Sequence, residues 1–93
     1  MKFIKFPLGQ VVITRGVYEH IKISEENVLH FLYKHATGNW GEICKEDRES
    51  NNYAVEHEER ILSAYTLPKT KKKIWIITEW DRSVTTILFP DEY

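Results

Sequence analysis

"RILSAYTLPKTKKKIWIITEWDRSVTTILFP", residues Arg60 to Pro90, decides the fold. Three runs rich in β-branched and aromatic residues, "RILSAYTL", "KIWIITEW" and "VTTILF", are parted by "PKTKK" and "DRS". Such runs between turn-forming clusters read as strands. Short links make consecutive strands antiparallel neighbours, so the stretch predicts a meander ended by Pro90. Register then assigns faces. Pairing Leu67 with Lys73, and Trp80 with Val84, puts Leu62, Ala64, Ile74, Ile76 and Leu88 on one face. Arg60, Thr78, Trp80 and Thr86 gather at one end of that face. The other face carries Ile61, Ser63, Tyr65, Trp75, Ile77, Glu79, Thr85, Ile87 and Phe89. Side chains alternate along a strand, so a one-residue slip in either hairpin exchanges the faces of the strand beyond it. The aliphatic first face is expected under the helices.

Upstream, "VVIT" (Val11–Thr14) reads as a further short strand, and Thr14 suits the cap of a short helix from Arg15 with Val17, Tyr18 and Ile21 inward. "ISEENVLHFLYKHATG" reads as the clearest helix: Ser24 as N-cap, Glu25 and Glu26 in the first turn, and a stripe of Val28, Leu29, Phe31, Leu32 and Ala36. Gly38 suits the left-handed position after its end. A thinner helix is expected from about Glu46 to Glu58, with Tyr53, Ala54 and Val55 inward. The layout is one α+β domain over residues 1–93, two or three N-terminal helices on an antiparallel meander sheet of three to four strands.

Bulk properties narrow the function. A net charge of −1 over 93 residues argues against a strongly basic nucleic-acid binder. Charge is uneven, however: Lys69, Lys71, Lys72 and Lys73 form a basic knot, while Glu42 to Glu59 is acid-rich. The single cysteine, Cys44, rules out an internal disulfide and a multi-cysteine metal site, which fits a reducing, cytoplasmic setting. "MKFIKFPLGQVVIT" lacks the pattern of a secretory leader, and no stretch has the length of a membrane span.

No nucleophile elbow, phosphate-cradling glycine loop or zincin helix is present. His30 and His35 stand five apart, roughly 140° around a helix, and cannot grip a metal as an i,i+4 pair does. No metal and no cofactor is expected. His35, before the turn "ATGNWG", is placed either as a general acid or base or as a cation at a helix end. In the register above, Arg60, Arg82, Thr78, Thr85, Thr86 and Glu79 converge on one end of the sheet. Arginine forks there can hold a phosphate, with Thr78 alongside, while His35 or Glu79 moves a proton and Thr86 orients. The plainer reading is a salt-bridged hairpin end in which Asp81 caps its own turn. Tyr65, Trp75 and Phe89 would share a face, either as core or as a base-stacking surface.

"HATGNWGE", "KEDRESN", "RILSAY" and "IWIITEWDRSVTTILFPDEY" together resemble short uncharacterised proteins described as plasmid-related, from bacterial mobile elements. That resemblance implies a bacterial or phage host. Helices followed by an antiparallel meander also resemble, in architecture, the barnase, colicin and RelE-like ribonucleases. This implies catalytic roles on the sheet that His35, Arg60, Glu79, Arg82 and Thr86 would fill. Two readings follow. One is a nucleic-acid-directed protein with a metal-independent ribonuclease-like site acting on RNA. The other is a non-catalytic accessory or anti-defence protein that binds a host protein through an acidic helical surface. Neither involves a membrane.

Overall fold

A computed structural model describes residues 3–93. In chain order it has β1 (Gln10–Ile13), α1 (Arg15–Ser24), α2 (Leu29–Ala36), α3 (Lys45–His57), β2 (Ile61–Thr66), β3 (Lys73–Thr78), β4 (Val84–Leu88) and a 3-10 turn (Pro90–Glu92). The fold is α+β. The four strands form one sheet in the order β1-β4-β3-β2. The three late strands are the expected antiparallel meander, but β1 joins the outer side of β4 in parallel, so the sheet is mixed. No helix among the described residues is long and apolar enough to cross a membrane.

The register differs from the sequence expectation by one residue in both hairpins. Thr66, not Leu67, pairs with Lys73, and Thr78 stands opposite Thr85 rather than Thr86. The physical cause lies in the turns. The β3–β4 hairpin closes on the Glu79 N–H to Val84 carbonyl bond at 3.1 Å, leaving four loop residues instead of three. Arg82 takes a left-handed conformation there (φ 60°). The slip moves β2 and β4 to the opposite face relative to β3. Ile61, Ser63 and Tyr65 therefore share a face with Ile74, Ile76, Thr78, Thr85 and Ile87.

That face packs under the helices. Val17, Val28, Phe31, Tyr65, Leu67, Ile74, Ile76 and Ile87 form one apolar cluster, and Phe6, Trp40, Ala54 and Ile61 a second. Five aliphatic side chains, Ile61, Leu67, Ile74, Ile76 and Ile87, are almost fully buried. At about 1.5–3 kcal/mol each they outweigh the exposed ion pairs Arg15–Glu19 and Lys45–Glu49, which contribute about 0–1 kcal/mol each. Phe89 also lies on the helix side, edge-on to His20 at 5.6 Å, whereas Trp75 faces the other way against Tyr93. The three aromatics expected on one face are thus divided between two.

Local signals succeeded unevenly. Thr14 caps α1, accepting the Val17 N–H, and Gly38 is left-handed at φ 88°. Ser24, expected to start a helix, instead ends α1, its hydroxyl donating to the His20 carbonyl at 2.8 Å. Glu25 follows in a left-handed conformation and breaks the run. Glu26 is buried at the α1–α2 corner. It accepts the Lys69 N–H at 2.7 Å, the Thr70 N–H at 3.3 Å and hydroxyl at 2.7 Å, and His20 Nε2–H at 3.0 Å. A tertiary clamp to the β2–β3 loop thus overrides the helical pattern. Tyr18 and Tyr53, expected inward, are about half exposed.

Both flanks of the β2 edge are managed. Asn51 of α3 imitates a strand: its Nδ2 donates to the Leu62 carbonyl at 2.7 Å and its Oδ1 accepts the Leu62 N–H at 3.2 Å. One step along, the Ala64 N–H donates to the Trp40 carbonyl at 3.1 Å and the Glu42 N–H to the Ala64 carbonyl at 2.7 Å. Gly41 makes this approach possible; a Cβ there would stand 2.0 Å from the Ala64 oxygen. Edge groups satisfied in this way cannot recruit a foreign strand.

Candidate functional site

The six residues expected to act together do not share one site. His35 is fully buried and lies under the sheet between the two apolar clusters, edge-on to Phe6 at 5.3 Å and Trp40 at 5.9 Å. Its Nδ1 is 2.5 Å from Ser63 Oγ and its Nε2 2.9 Å from Thr78 Oγ1. Thr78 Oγ1 is 2.7 Å from Thr85 Oγ1, which donates to the Leu8 carbonyl at 2.7 Å. The last acceptor sets the direction of the whole chain. A carbonyl can only accept, so Thr85 spends its proton there and accepts from Thr78. Thr78 then has no proton left for His35, so Nε2–H is the donor and Nδ1 accepts from Ser63. The imidazole is the neutral Nε2–H tautomer, and burial pushes its pKa down to about 3.

This chain ties five segments: β2, α2, β3, β4 and the stretch before β1. It was not read from the sequence. Its signal was the hydroxyl residues Ser63, Thr78 and Thr85 within largely apolar strands, which align only in the true register.

Arg82 is committed elsewhere. Its Nη1 donates to the Glu59 carbonyl at 2.6 Å and the Glu79 carbonyl at 3.2 Å, and its Nη2 to the Ala54 carbonyl at 2.7 Å. The guanidinium thereby satisfies carbonyls at the negative end of α3. Arg60 donates to the Tyr93 hydroxyl and lies over that ring, 5.3 Å from its centre. Thr86 stands opposite Ile77, on the face away from His35. Glu79 is half-buried and makes no side-chain hydrogen bond or ion pair among the described residues. Of the six side chains, only His35 and Thr78 bond one another; the expected convergence depended on the register that the turns displace. Asp81 does cap its own turn, accepting the Ser83 N–H at 3.1 Å and hydroxyl at 2.6 Å, bonds that lower its pKa. Among the described residues no three His, Cys, Asp or Glu side chains are grouped to hold a metal ion.

Two solvent-facing features remain. The first is the outer side of α3 and its flanks, where Glu46, Asp47, Glu49, Glu56, Glu58 and Glu59 are all exposed. Tyr53 is 53% exposed within this surface and Trp80 is 64% exposed beside it. Arg82 bonds both the Glu59 and the Trp80 carbonyls, so the hairpin tip and the end of α3 are contiguous. The second is a cleft of about 790 Å³ beside the turn after α2, bordered by Lys5, Gly38, Asn39, Trp40 and Arg48. Sequence reading singled out the turn but not Lys5 or Arg48, which come from distant segments.

Comparison of the chain with protein-family models, curated proteins and solved structures finds no match.

Proposed function

We propose that this chain is a non-catalytic binding protein that offers the acidic surface of α3, with Tyr53 and Trp80 as aromatic anchors, to a basic surface on a partner protein. The observation that supports this most directly is the state of His35. It is buried, neutral and bonded through both ring nitrogens, so it has neither access to solvent nor a spare lone pair for general base work. Arg82 likewise spends its fork on backbone carbonyls rather than keeping it for a phosphate. By contrast, the acids of α3 are exposed and adjoin two large exposed aromatics, the composition of an interface with an aromatic centre and a charged rim. Acidic residues so arranged steer a basic partner at long range and exclude acidic ones. The reading fits an accessory or anti-defence role for a mobile-element protein in a bacterial cytoplasm.

The test is quantitative co-purification from bacteria, comparing the wild type with Glu46→Lys/Glu49→Lys/Glu58→Lys and with a control reversal on α1, Glu19→Lys. A basic partner kept by the control and lost by the triple variant is expected, with cellular RNA intact under strong expression. RNA cleavage by the purified chain that disappears in Glu79→Gln or Thr86→Val would instead establish the ribonuclease reading.

A further inference from the structure

The turn "TGNWG" (Thr37–Gly41) closes α2 and carries the chain to the β2 edge, and its outer side forms the floor of the 790 Å³ cleft. The volume lies within the range of small-ligand sites. Its charged groups are donors. Lys5 and Arg48 stand on it from two different segments, the Asn39 side chain is exposed, and no carboxylate lines it. Neither cation forms an ion pair with an Asp or Glu among the described residues. Glu56 borders a second hollow, of about 260 Å³, that Lys5 also lines.

The backbone of Lys5 and the guanidinium of Arg48 are each anchored. The Lys5 N–H donates to the Ala36 carbonyl at 2.8 Å. Its stem lies over Gly38, where a Cβ would come within 2.7 Å of Cε. The left-handed glycine thus both makes the turn and leaves the bed for the lysine. Arg48 is anchored by Nη1 donating to the Ile43 carbonyl at 2.9 Å, and its other guanidinium nitrogens make no hydrogen bond among the described residues. The acids near Arg48 in sequence, Glu46, Asp47 and Glu49, project from other sides of α3, because neighbours on one helical face are three or four residues apart. At those spacings Arg48 meets Cys44, Lys45, Asn51 and Asn52. Phe3, 86% exposed, adds an apolar flank at the rim.

We infer that this cleft binds a small organic anion, its phosphate or carboxylate head between Lys5 and Arg48 and a planar body against Phe3 and the turn. The volume is larger than a bare oxyanion needs, the apolar flank suits a ring, and the unpaired cations supply the charge. The site is separate from the acidic protein-binding surface and stands whether or not that surface has a partner.

The test follows backbone amide shifts of Gly38, Asn39 and Gly41, and the indole N–H of Trp40, during titration with adenosine 5′-monophosphate, benzoate and adenosine. The expected result is saturable, localised shifts with one or both anions, at least tenfold weaker binding of adenosine, and at least tenfold weakening in Lys5→Gln/Arg48→Gln. Both positions are exposed, and an unchanged melting curve will show that the double variant is folded; Arg48→Lys provides a milder second variant. Whichever anion binds more tightly identifies the head group. Absence of localised shifts up to millimolar anion, or affinity unaltered in the folded double variant, overturns the inference. Adenosine binding as tightly as its monophosphate does so too.

Discussion

The imidazole of His35 donates from Nε2 to Thr78 Oγ1 across 2.9 Å, in a place that no water reaches from the surface of either residue. Its proton position is dictated three groups away, by the Leu8 carbonyl that ends the chain. A polar run of this kind is stabilising only while every member is satisfied, and no buried side-chain nitrogen or oxygen among the described residues lacks a partner.

His35 makes stability fall on mild acidification. Its pKa is about 3 in the folded protein against 6.5 ordinarily, so between these values the unfolded chain binds the extra proton. Stability is complete above pH 6.5 and declines as pH drops toward 3, by on the order of 1 kcal/mol per pH unit. Urea unfolding midpoints at pH 7.5, 6 and 5 will show the decline, which His35→Gln will flatten. A ring that titrates near 6.5 by NMR in the folded protein would contradict the buried tautomer.

Arg82 acts as a cap on α3. Arg82→Ala is expected to cost about 1.5–3 kcal/mol by removing charge-assisted bonds to carbonyls. Arg82→Lys will restore only part of this, since an ammonium cannot span the Ala54 and Glu59 oxygens as the fork does. Thermal melts give the ranking, and hydrogen exchange should rise first in the last turn of α3.

Asn51 holds α3 to the β2 edge through one donor and one acceptor. Asn51→Ala will cost about 1–3 kcal/mol. Asn51→Asp will cost more at pH 7, because a carboxylate keeps the Leu62 N–H but confronts the Leu62 carbonyl oxygen. Protonating the aspartate should recover part of the difference, so the gap between the two variants in chemical denaturation narrows near pH 4.

Glu26 governs a lower pH range. Burial by itself raises its pKa, but the bonds from Thr70, His20 and the Lys69 and Thr70 N–H groups together bring it to about 2, against 4.5 ordinarily. A depressed carboxylate contributes stability that is complete above pH 4.5 and is lost as pH falls toward 2. Glu26→Gln will therefore be less stable than the wild type at pH 7 and nearly equal to it at pH 2. Acid titration followed by circular dichroism compares the two. Parallel curves over the whole range would remove Glu26 from the acid response.

Several features were legible without coordinates because their causes are local. Residues Arg60–Pro90 announce three strands by composition and punctuation, and Pro68 falls in the loop assigned to it. Thr14 begins a helix, Gly38 ends one, and Asp81 closes its own turn, each through groups within a few positions. Such signals need only neighbouring backbone, which the chain carries with it.

The candidate site was not legible, because side-chain direction in a strand has period two. A one-residue change of register in each hairpin moved Ser63 and Thr85 beneath α2 beside Thr78, and left Thr86 on the far side. Ser24 and Glu26 show the same limit: a good helix start was overruled by a clamp on Thr70, 44 positions away. The sequence by itself determined the element types, the late meander and the acidic character of α3. Only the tertiary structure decided the register, the burial of His35, the commitment of Arg82 and the placing of Lys5 and Arg48 on one cleft. Those outcomes depend on turn lengths and contacts between segments that no local pattern encodes.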